Sequence, residues 1–325
     1  MRFVRGLVSF VLWVVAIPLL VIAVARALPF DNVPPLPLLV PFTPWAALVA
    51  LPLLVIALFS RRPALAVVLA ASLAGFVAWT APFFVPDAAM SAPPADPDDA
   101  GTVRVMTLNA HAGRADARAV VDLVESEHVE VLAVQELTDD LADRLAEAGL
   151  DELLPYSETA PVAGGPGGTG LWSVSAMTKA DRLDGSSFAM PSAVVDVGGT
   201  PVRVTAVHAY PPLPARTATW RTELVALTDR VRADSAPQIL AGDFNATYDH
   251  ATFRDLLGSR FVDATREWGA GPVVTWPEGR RVPPLLALDH VVVERDMTVS
   301  DVVPRPVPGT DHRALLATVV VGADA

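Results

Sequence analysis

The sequence predicts a mixed α/β sandwich domain that follows three transmembrane helices. The chain of 325 residues is 52% hydrophobic with a mean hydropathy of +0.42, which is too apolar for one ordinary soluble domain. Three uncharged apolar runs fill its first quarter. In the remainder, short strand-like and helix-like segments alternate, but paired strands interrupt the alternation, which indicates a sandwich more than a simple parallel sheet.

The three apolar runs cover residues 6–25, 32–60 and 63–86. Each reaches the roughly 20 residues that a helix needs to cross about 30 Å of hydrocarbon. The first run could instead be a cleaved signal peptide, because Arg2 and Arg5 precede it. It is long for that role, however, lacks a clear cleavage site and is followed by more membrane-like sequence. A buried helical hairpin is the other alternative, and we predict three membrane spans.

Arginines predict the orientation of the spans, because positive charge near span ends favours the cytoplasmic side. Arg2 and Arg5 flank the first span, and Arg61 and Arg62 lie between the second and the third. Arg26, near the other end of the first span, would favour the reverse orientation, but it is a single arginine and lies close to an aspartate. The pattern predicts a protein of the plasma membrane with a cytoplasmic N-terminus, three crossings and a C-terminal domain outside the cytoplasm.

A segment rich in proline and aspartate divides the chain. Residues 87–101 have the sequence DAAMSAPPADPDDAG, a composition typical of a solvated and fairly stiff linker. We therefore predict a membrane anchor over residues 1–86, this linker, and a folded domain over residues 102–325 that is long enough to bury one sizeable core.

The charge distribution restricts the binding partners. The formal net charge is −12, although the first 86 residues hold five arginines and one aspartate, so the C-terminal domain is strongly acidic. Such a domain is a poor general binder of nucleic acid, since that requires clustered lysines and arginines, and Lys179 is the only lysine. The chain has no cysteine, which excludes disulfides, thiolate nucleophiles and cysteine-ligated metal sites.

The C-terminal domain divides into strands and helices by its apolar patterning. A glycine-rich loop over residues 163–170 lacks the GK[ST] ending of a nucleotide-binding P-loop. Helices are predicted at 115–127, 139–148 and 215–232, and strands near 103–108, 129–134, 171–177, 193–197, 202–207, 238–240, 289–293 and 314–320.

Polar residues fall repeatedly at the ends of these strands, where side chains converge on one face of a sandwich and ligand sites form. Their types suit the transfer of a phosphoryl group to water. They are Asn109, Glu136, His208, Asp243, Asn245, Asp289, Asp311 and His312.

The acidic and amide side chains predict a site for a hard cation, Mg²⁺ or alternatively Mn²⁺, because such ions prefer carboxylate and amide oxygens. Glu136 and Asn109 can supply these oxygens, with Asp311 as a further candidate ligand. The cation would neutralise phosphate charge and polarise the phosphorus.

The remaining residues suit acid–base chemistry. His312 is the natural base for an attacking water, and Asp289 could orient its ring from the other nitrogen. Asp243 and Asn245 lie on one tight turn, so both can face the water and a phosphoryl oxygen. His208 could donate to a non-bridging oxygen or assist the leaving group.

The segments TLN, QE, VH, GDFN, LDHV and TDHR, in this order, resemble the motifs of the endonuclease/exonuclease/phosphatase superfamily. This superfamily includes DNase I-like nucleases, abasic-site endonucleases, sphingomyelinases and inositol-polyphosphate phosphatases. The resemblance covers about residues 102–322 and implies a four-layer α/β/β/α sandwich, dependence on Mg²⁺ and the residue roles given above. Two departures are Thr310, where serine is usual, and the missing arginine in GTGLWSVSAM, which puts a substrate contact in doubt.

Each of these residues also has a structural interpretation without a chemical role. Asp243 and Asn245 can form an Asx turn and nothing more. His208 can be a satisfied core histidine, and Asp289 and His312 can form a structural ion pair. The full set of motifs favours the chemical interpretation.

Residues beside the motifs are harder to place. Trp276 can line the pocket, as a candidate substrate-binding residue, or plug the edge of the sandwich. His290 follows a site residue within a strand, so its side chain should lie on the opposite face, whereas the place of His111 stays open. His128 and His250 are predicted at the surface.

The predicted membrane anchor indicates what kind of substrate the domain acts on. Three spans followed by an exported domain are similar to a bacterial membrane group of the superfamily that is linked to glycopeptide-antibiotic resistance, which implies a polyprenyl (di)phosphate lipid carrier. The alternatives are a nuclease outside the cytoplasm, a sphingomyelinase-like phosphodiesterase and a degenerate domain kept as a scaffold. We predict a membrane-anchored hydrolase of phosphate esters or anhydrides whose partners are the bilayer and a lipid-linked phosphate, with nucleic acid less favoured.

Overall fold

The computed structural model describes residues 2–86, 101–269 and 271–322 of the chain. The predicted linker over residues 87–101 lies outside the described residues except for Gly101, which begins the first strand. The described part consists of a helical bundle followed by a domain with two sheets.

The N-terminal bundle is apolar inside and outside. Small and aromatic side chains such as Ala50 and Phe76 fill its centre, whereas Leu48 and Val67 are exposed on its outer surface. An apolar outer surface suits contact with lipid and indicates association with a membrane. Three stretches are long and apolar enough to cross a bilayer, namely Gly6–Ala27, Leu36–Phe59 and Pro63–Phe84.

We number helices and strands in chain order. The bundle contains α1 (Arg2–Ala27), α2 (Leu36–Leu39), α3 (Thr43–Phe59) and α4 (Pro63–Thr80), with short 3-10 helices at Val40–Phe42 and Ala81–Phe84. The second domain contains α5 (Ala117–Ser126), α6 (Asp139–Glu147), α7 (Leu150–Leu153), α8 (Thr217–Ala233), α9 (Ala251–Leu257) and α10 (Ala264–Trp268).

Two six-stranded sheets form the centre of the second domain in the described part of the chain. The first has the order β11-β12-β1-β2-β4-β3 and the second the order β5-β6-β7-β8-β10-β9. The strands of the first sheet are β1 (Gly101–Asn109), β2 (Val131–Gln135), β3 (Tyr156–Ala160), β4 (Thr169–Ser173), β11 (Thr298–Pro306) and β12 (Arg313–Val321). Those of the second are β5 (Met177–Arg182), β6 (Pro191–Val197), β7 (Thr200–His208), β8 (Gln238–Asp243), β9 (Phe261–Asp263) and β10 (Asp289–Glu294).

The helices and sheets form four layers, with an apolar core between each pair of adjacent layers. The inner faces of the two sheets pack against each other through small, mostly β-branched side chains such as Val105, Val204 and Val293. Helices α5, α6 and α7 cover the outer face of the first sheet. Helices α8 and α9 cover the second sheet around Trp220 and Phe244. This arrangement is the four-layer α/β/β/α sandwich and confirms the predicted fold class.

The strand register brings distant polar residues together. Strands β1 and β2 are parallel neighbours, as are β7 and β8, so each pair ends at one edge of its sheet. Asp243 lies opposite His208 on one side of β8 and opposite Asp289 on the other. Across the two sheets, the side chain of Asn109 at the end of β1 contacts Asp243. The central strands of both sheets therefore end at the same edge of the sandwich.

The bundle contacts the sandwich with one of its ends. The ion pair between Arg26 and Asp249 joins the end of α1 to the sandwich at 2.6 Å. The backbone N–H of Gly271 donates to the carbonyl of Phe83, just after α4, at 2.7 Å. Since α3 runs away from this interface and α4 returns to it, the turn at Arg61 between them lies at the opposite end of the bundle.

Candidate active site

A cavity of about 530 Å³ opens at the edge of the sandwich where the central strands end. Of the predicted site residues, only Asp289 is absent from its wall, because it lies behind His312. The others that line it are Asn109, Glu136, His208, Asp243, Asn245, Trp276, Asp311 and His312.

Asn109 connects the two sheets inside the cavity. Its Nδ2 donates to Asp243 Oδ2 at 2.9 Å and to Glu136 Oε1 at 3.2 Å. Its Oδ1 accepts from the backbone N–H of His111 at 2.9 Å. The other oxygen of Glu136 accepts from the backbone N–H of Ala112 at 2.6 Å. Two carboxylates, one from each sheet, therefore converge on a single amide.

The backbone of Glu136 adopts a conformation that is rare for its residue type. Its φ of +56° lies in the left-handed region, which costs a residue with a Cβ about 1–2 kcal/mol. Such strain persists only where surrounding contacts impose it, and it clusters at functional sites. The conformation directs the carboxylate toward Asn109 and thereby supports Glu136 as a functional residue.

Asp243 and Asn245 form the turn that follows β8. The backbone N–H of Asn245 donates to Asp243 Oδ1 at 2.8 Å, and Asn245 Nδ2 donates to the carbonyl of Ala209 at 3.0 Å. The Asx turn that we considered as a structural alternative is therefore present. The second carboxylate oxygen of Asp243 faces Asn109 in the cavity, so the same turn also presents a charged group to a ligand.

His312 and Asp289 form a buried pair. His312 Nδ1 lies 2.8 Å from Asp289 Oδ2. The hydroxyl of Thr310 donates to the carbonyl of Asn109 at 2.6 Å and accepts from the backbone N–H of His312 at 3.1 Å, so threonine supplies a hydroxyl where serine is usual. Because the carboxylate fixes the proton on Nδ1, a neutral ring presents an unprotonated Nε2. That atom lies 4.0 Å from Asp243 Oδ2.

The charges in this cluster shift the pKa of its members. Burial disfavours charge on His312, but the carboxylates of Asp289 and Asp243 raise its pKa to about 9. Burial and the charge of Asp289 raise the pKa of Asp243 to about 7. Two groups with strongly shifted pKa values are thus adjacent in the cavity wall, which is typical of catalytic sites.

His208 lies in the cavity wall and is stacked on Phe188, with ring centroids 4.5 Å apart. Burial, with a smaller effect of His312, lowers its pKa to about 3, so the ring is neutral. Among the described residues, none forms a hydrogen bond with its Nδ1. A buried polar atom without a protein partner is uncommon and calls for a partner from outside the protein, such as a bound water molecule.

Asp311 is partly exposed and lies beside an arginine and a histidine. Its carboxylate is 3.1 Å from Arg280 and 3.6 Å from His111 Nδ1. Burial opposes ionisation, but Arg280 and the nearby histidines hold the pKa of Asp311 below its ordinary value. The structure therefore places the third predicted metal ligand in the cavity but in contact with different partners from Glu136 and Asn109.

Trp276 is half-buried in the cavity wall, and its backbone pairs with that of Leu286. Of the two alternatives for this residue, the structure therefore has it line the pocket. His111, which the sequence left open, lines the same cavity.

The remaining histidines form no hydrogen bond with Asn109, Glu136, Asp243 or His312, although His250 also lines the cavity. His290 is on the opposite face of β10 from the cavity and bonds Asp263 at 2.7 Å, as strand alternation predicts. His128 is exposed. The prediction of a surface position for His250 was wrong, because this ring is 1% exposed and bonds the carbonyl of Pro37 at 2.8 Å. The helical anchor covers it, a contact that the local sequence does not reveal.

The apolar part of the cavity was missed from the sequence. Tyr210 and Phe188 stack on each other at 5.2 Å beside His208. Residues 211–213 and the segment that joins α1 to α3 supply further apolar wall. Only the closeness of Tyr210 to the VH motif gave a signal, since no motif marks Phe188 or the anchor segment.

The polar end of the cavity fits a divalent cation. Oxygens of Glu136 and Asp243 converge on Nδ2 of Asn109. An oxygen ligand from Asn109 would require its amide to turn over and to give up the bond from the backbone N–H of His111. Among the described residues, no lysine or arginine pairs with either carboxylate. Asp243, Asp289 and His312 also have ligand atoms within 4.8 Å of one another. We favour the first group, since Asp289 already holds His312 and lies behind the wall.

A four-layer sandwich whose strand ends carry carboxylates, an amide and a histidine–aspartate pair defines a class of protein, the metal-dependent hydrolases of phosphate esters. The sequence profile of the Endonuclease/Exonuclease/phosphatase family matches residues 106–312. The chain belongs to this family, and it is a metal-dependent phosphoester hydrolase.

Solved structures share the fold. Humanized D. rerio TDP2 is 14% identical with a TM-score of 0.57, and the match covers 67% of this chain and 99% of that one. A family protein from Leptotrichia buccalis is 15% identical with a TM-score of 0.54, covering 67% and 99%. Another from Beutenbergia cavernae is 20% identical with a TM-score of 0.53, covering 68% and 72%. No curated protein matched the sequence.

Proposed function

We propose that this protein hydrolyses a lipid-linked phosphate, such as a polyprenyl diphosphate, at the outer face of the plasma membrane with Mg²⁺ as its cation and Mn²⁺ as the alternative. It would then be similar in substrate to the bacterial membrane group linked to glycopeptide resistance. The proposed organisation is an anchor over residues 1–86, a linker over 87–101 and a catalytic domain over 102–325.

The position of the cavity at the anchor carries this proposal. Pro37, Leu38 and Pro41 lie at the start of the second candidate span, in the segment between α1 and α3, and they line the same cavity as Asp243 and His312. Because a helix long enough to cross the bilayer ends shortly before this segment, the cavity lies at the membrane surface. A phosphate carried by a membrane lipid can reach it there, whereas the acidic charge of the domain disfavours a long nucleic acid.

The proposed metal site consists of Glu136 and Asn109, with Asp311 as the third candidate ligand. A bound divalent cation supplies positive charge that neutralises the phosphate and lowers the pKa of neighbouring groups. The convergence of Glu136 and Asp243 on Asn109 supports Glu136 and Asn109 as ligands and adds Asp243 as a neighbouring carboxylate. Asp311 lines the same cavity but is paired with Arg280.

The proposed proton acceptor is His312. A base must be unprotonated at the working pH, so its pKa of about 9 has to fall when the site is filled. His312 then takes the proton of the attacking water at Nε2, and Asp289 stabilises the imidazolium. The water oxygen bonds to the terminal phosphorus as the bridging P–O bond breaks, so that inorganic phosphate and the polyprenyl monophosphate leave. Asp243 and Asn245 orient the water, and His208 donates a hydrogen bond to a phosphoryl oxygen. Trp276 contacts the substrate from the cavity wall.

The proposed orientation follows from the arginines and the position of the sandwich. Arg61 lies at the end of the bundle opposite the sandwich, as does Arg62. If this arginine turn is cytoplasmic, as positive charge favours, the sandwich lies outside the cytoplasm and the N-terminus lies inside.

Sealed, right-side-out vesicles from cells that express the protein test the substrate and the side together. Undecaprenyl diphosphate, sphingomyelin and supercoiled plasmid are supplied in turn to the outer surface with Mg²⁺. We expect phosphate release from the lipid diphosphate without permeabilisation, because the cavity lies beside the outer leaflet. Vesicles from cells that lack the protein are the control.

Two outcomes count against the proposal. Plasmid nicking or sphingomyelin cleavage without turnover of the lipid diphosphate would reject the substrate class. Turnover that begins only after the vesicles are permeabilised would reject the orientation.

A further inference from the structure

Buried polar contacts fix the anchor to the sandwich. Arg26 Nε donates to Asp249 Oδ1 at 2.6 Å, and both side chains are buried. A few residues later, the buried carboxylate of Asp31 accepts from the backbone N–H of Thr252 at 3.1 Å. Charges withdrawn from water need their partners in place. The end of α1 and the segment after it are therefore held in one position on the catalytic domain.

The segment between α1 and α3 is held at a second point. The backbone N–H of Thr247 donates to His250 Nδ1 at 2.9 Å, so the ring proton lies on Nε2 and is donated to the carbonyl of Pro37 at 2.8 Å. Trp45 Nε1, at the start of α3, donates to the carbonyl of Leu285 at 2.7 Å. These bonds place the segment at the mouth of the catalytic cavity.

Three side chains of this segment, Pro37, Leu38 and Pro41, form what we call the connector wall of the cavity. On the sandwich, Pro211, Pro212 and Leu213 line the same cavity. None of the six carries charge or a polar side chain, and the prolines restrict backbone movement. Leu38 is 38% exposed and Leu213 is 48% exposed, so both have surface left for an apolar ligand.

We propose that the connector wall, together with the loop 211–213, binds the hydrocarbon chain of the substrate, so that the anchor is a specificity-determining part of the site and not only a tether. This inference rests on the proposed function. The cavity is lined both by carboxylates and histidines and by the apolar side chains of the connector wall and the loop 211–213, and a phosphate joined to a hydrocarbon chain matches both kinds of lining at once.

Burial of apolar surface would favour long-chain substrates over short ones with the same headgroup. The informative quantity is therefore a selectivity, the ratio of kcat/KM for undecaprenyl diphosphate to kcat/KM for dimethylallyl diphosphate. The ratio is measured with the full-length chain in mixed micelles with Mg²⁺. Since both substrates are assayed on one preparation, the ratio does not depend on the fraction of enzyme that is folded.

Leu38→Gln and Leu213→Gln place a polar amide against the chain. We expect each to lower the selectivity about tenfold, the usual effect of a small change in an apolar pocket. The matched control is Val174→Gln, because Val174 is 45% exposed on the sandwich and does not line the cavity. It should leave the selectivity as in the wild type.

A photoreactive analogue of undecaprenyl diphosphate provides a second measurement that needs no variant. If its reactive group is on the hydrocarbon chain, crosslinks located by mass spectrometry should fall on residues 37–41 or 211–213 of the wild-type protein. Crosslinks confined to other parts of the chain would overturn the inference.

The kinetic outcomes separate this inference from the proposed function. Wild-type enzyme that prefers the long chain, with the same selectivity in both leucine variants, would overturn the inference alone. Wild-type enzyme that turns over dimethylallyl diphosphate or plasmid but not undecaprenyl diphosphate would overturn the proposed function, and the inference with it.

Discussion

Two buried histidine–aspartate pairs lie on opposite faces of one strand. On β10, Asp289 bonds His312 beside the cavity, whereas the next residue, His290, bonds Asp263 among the aromatic side chains of the outer core. Successive side chains of a strand face opposite ways. The same pair of residue types therefore belongs to the candidate site in one case and to the packing of the domain in the other.

The core pair should make stability depend on pH. Burial opposes charge on both groups, but Asp263, with a smaller effect of Asp289, raises the pKa of His290 above 6.5, and His290 lowers the pKa of Asp263 below 3.8. The stabilisation from His290 is complete below pH 6.5 and is lost as pH rises through its raised pKa. That from Asp263 is complete above pH 3.8 and is lost as pH falls through its lowered pKa.

We expect His290→Gln to lower the free energy of unfolding by about 3 kcal/mol near pH 5, because it breaks a buried charged pair. The loss should shrink as pH rises through the raised pKa of His290, because the wild-type ring then becomes neutral as well. Thermal unfolding of the full-length protein in detergent, measured as a function of pH, gives the difference. His128→Gln is the matched control, since His128 is exposed. A difference that does not change with pH would contradict the assignment.

The polar residues of the candidate site could be predicted, because their types and their places at strand ends follow from short segments of sequence. Phe188 and His250 could not. Phe188 reaches His208 from a loop, and His250 is buried only because the anchor covers it. Contacts of that kind depend on how loops and domains pack.

The strands that the sequence did not reveal share a position in the fold. They are β3, β5, β9 and β11, and each lies at an edge of one of the two sheets. An edge strand has a neighbouring strand on only one side, so its sequence need not be the continuous apolar run of a central strand. The side chains of β5 are mostly exposed, and β11 contains Pro304 and Pro306, residues that the interior of a sheet excludes. The central strands were predicted because they are buried on both faces.

A glycine sets the distance between β7 and β8 at the candidate site. A Cβ on Gly242 would lie 1.9 Å from the carbonyl oxygen of Val207 on the neighbouring strand. The next residue on each strand is a site residue, Asp243 on β8 and His208 on β7. The glycine of the GDFN segment therefore allows the close approach that places these two side chains side by side.

Gly242→Ala should separate the two strands. We expect a loss of stability of at least about 3 kcal/mol, beyond ordinary overpacking because the clash is with backbone, together with loss of phosphatase activity. Thermal unfolding and phosphate release measure the two effects. Gly164→Ala is the matched control, because a Cβ there meets no atom within 4 Å. A Gly242→Ala protein with wild-type stability would contradict the close approach.

The helical bundle and the sandwich are joined by a buried ion pair between Arg26 and Asp249. From the sequence, both parts could be predicted, since hydropathy defines the spans and the motifs define the hydrolase domain. Their contact could not, because Arg26 and Asp249 are far apart along the chain and neither carries a motif. The contact gives the helical bundle a second feature besides its apolar surface, because residues 37–41 form part of the cavity wall.

The acidic side chains around the cavity make a cation necessary for phosphate binding. Four carboxylates, those of Glu136, Asp243, Asp289 and Asp311, lie in or directly behind the cavity. They repel a phosphate unless a cation neutralises them. Turnover should therefore depend on a divalent ion, whichever phosphate compound is the substrate.

Metal-dependent hydrolysis of a lipid diphosphate, with His312 as the base, is tested by phosphate release from undecaprenyl diphosphate in mixed micelles. The full-length protein is assayed with Mg²⁺ and with EDTA, and the His312→Gln variant with Mg²⁺. We expect EDTA to abolish release, added Mg²⁺ to restore it, and His312→Gln to lower kcat at least about 100-fold, as expected for loss of a general base. Release that persists in EDTA, or a His312→Gln variant with wild-type kcat, would show that this mechanism is wrong.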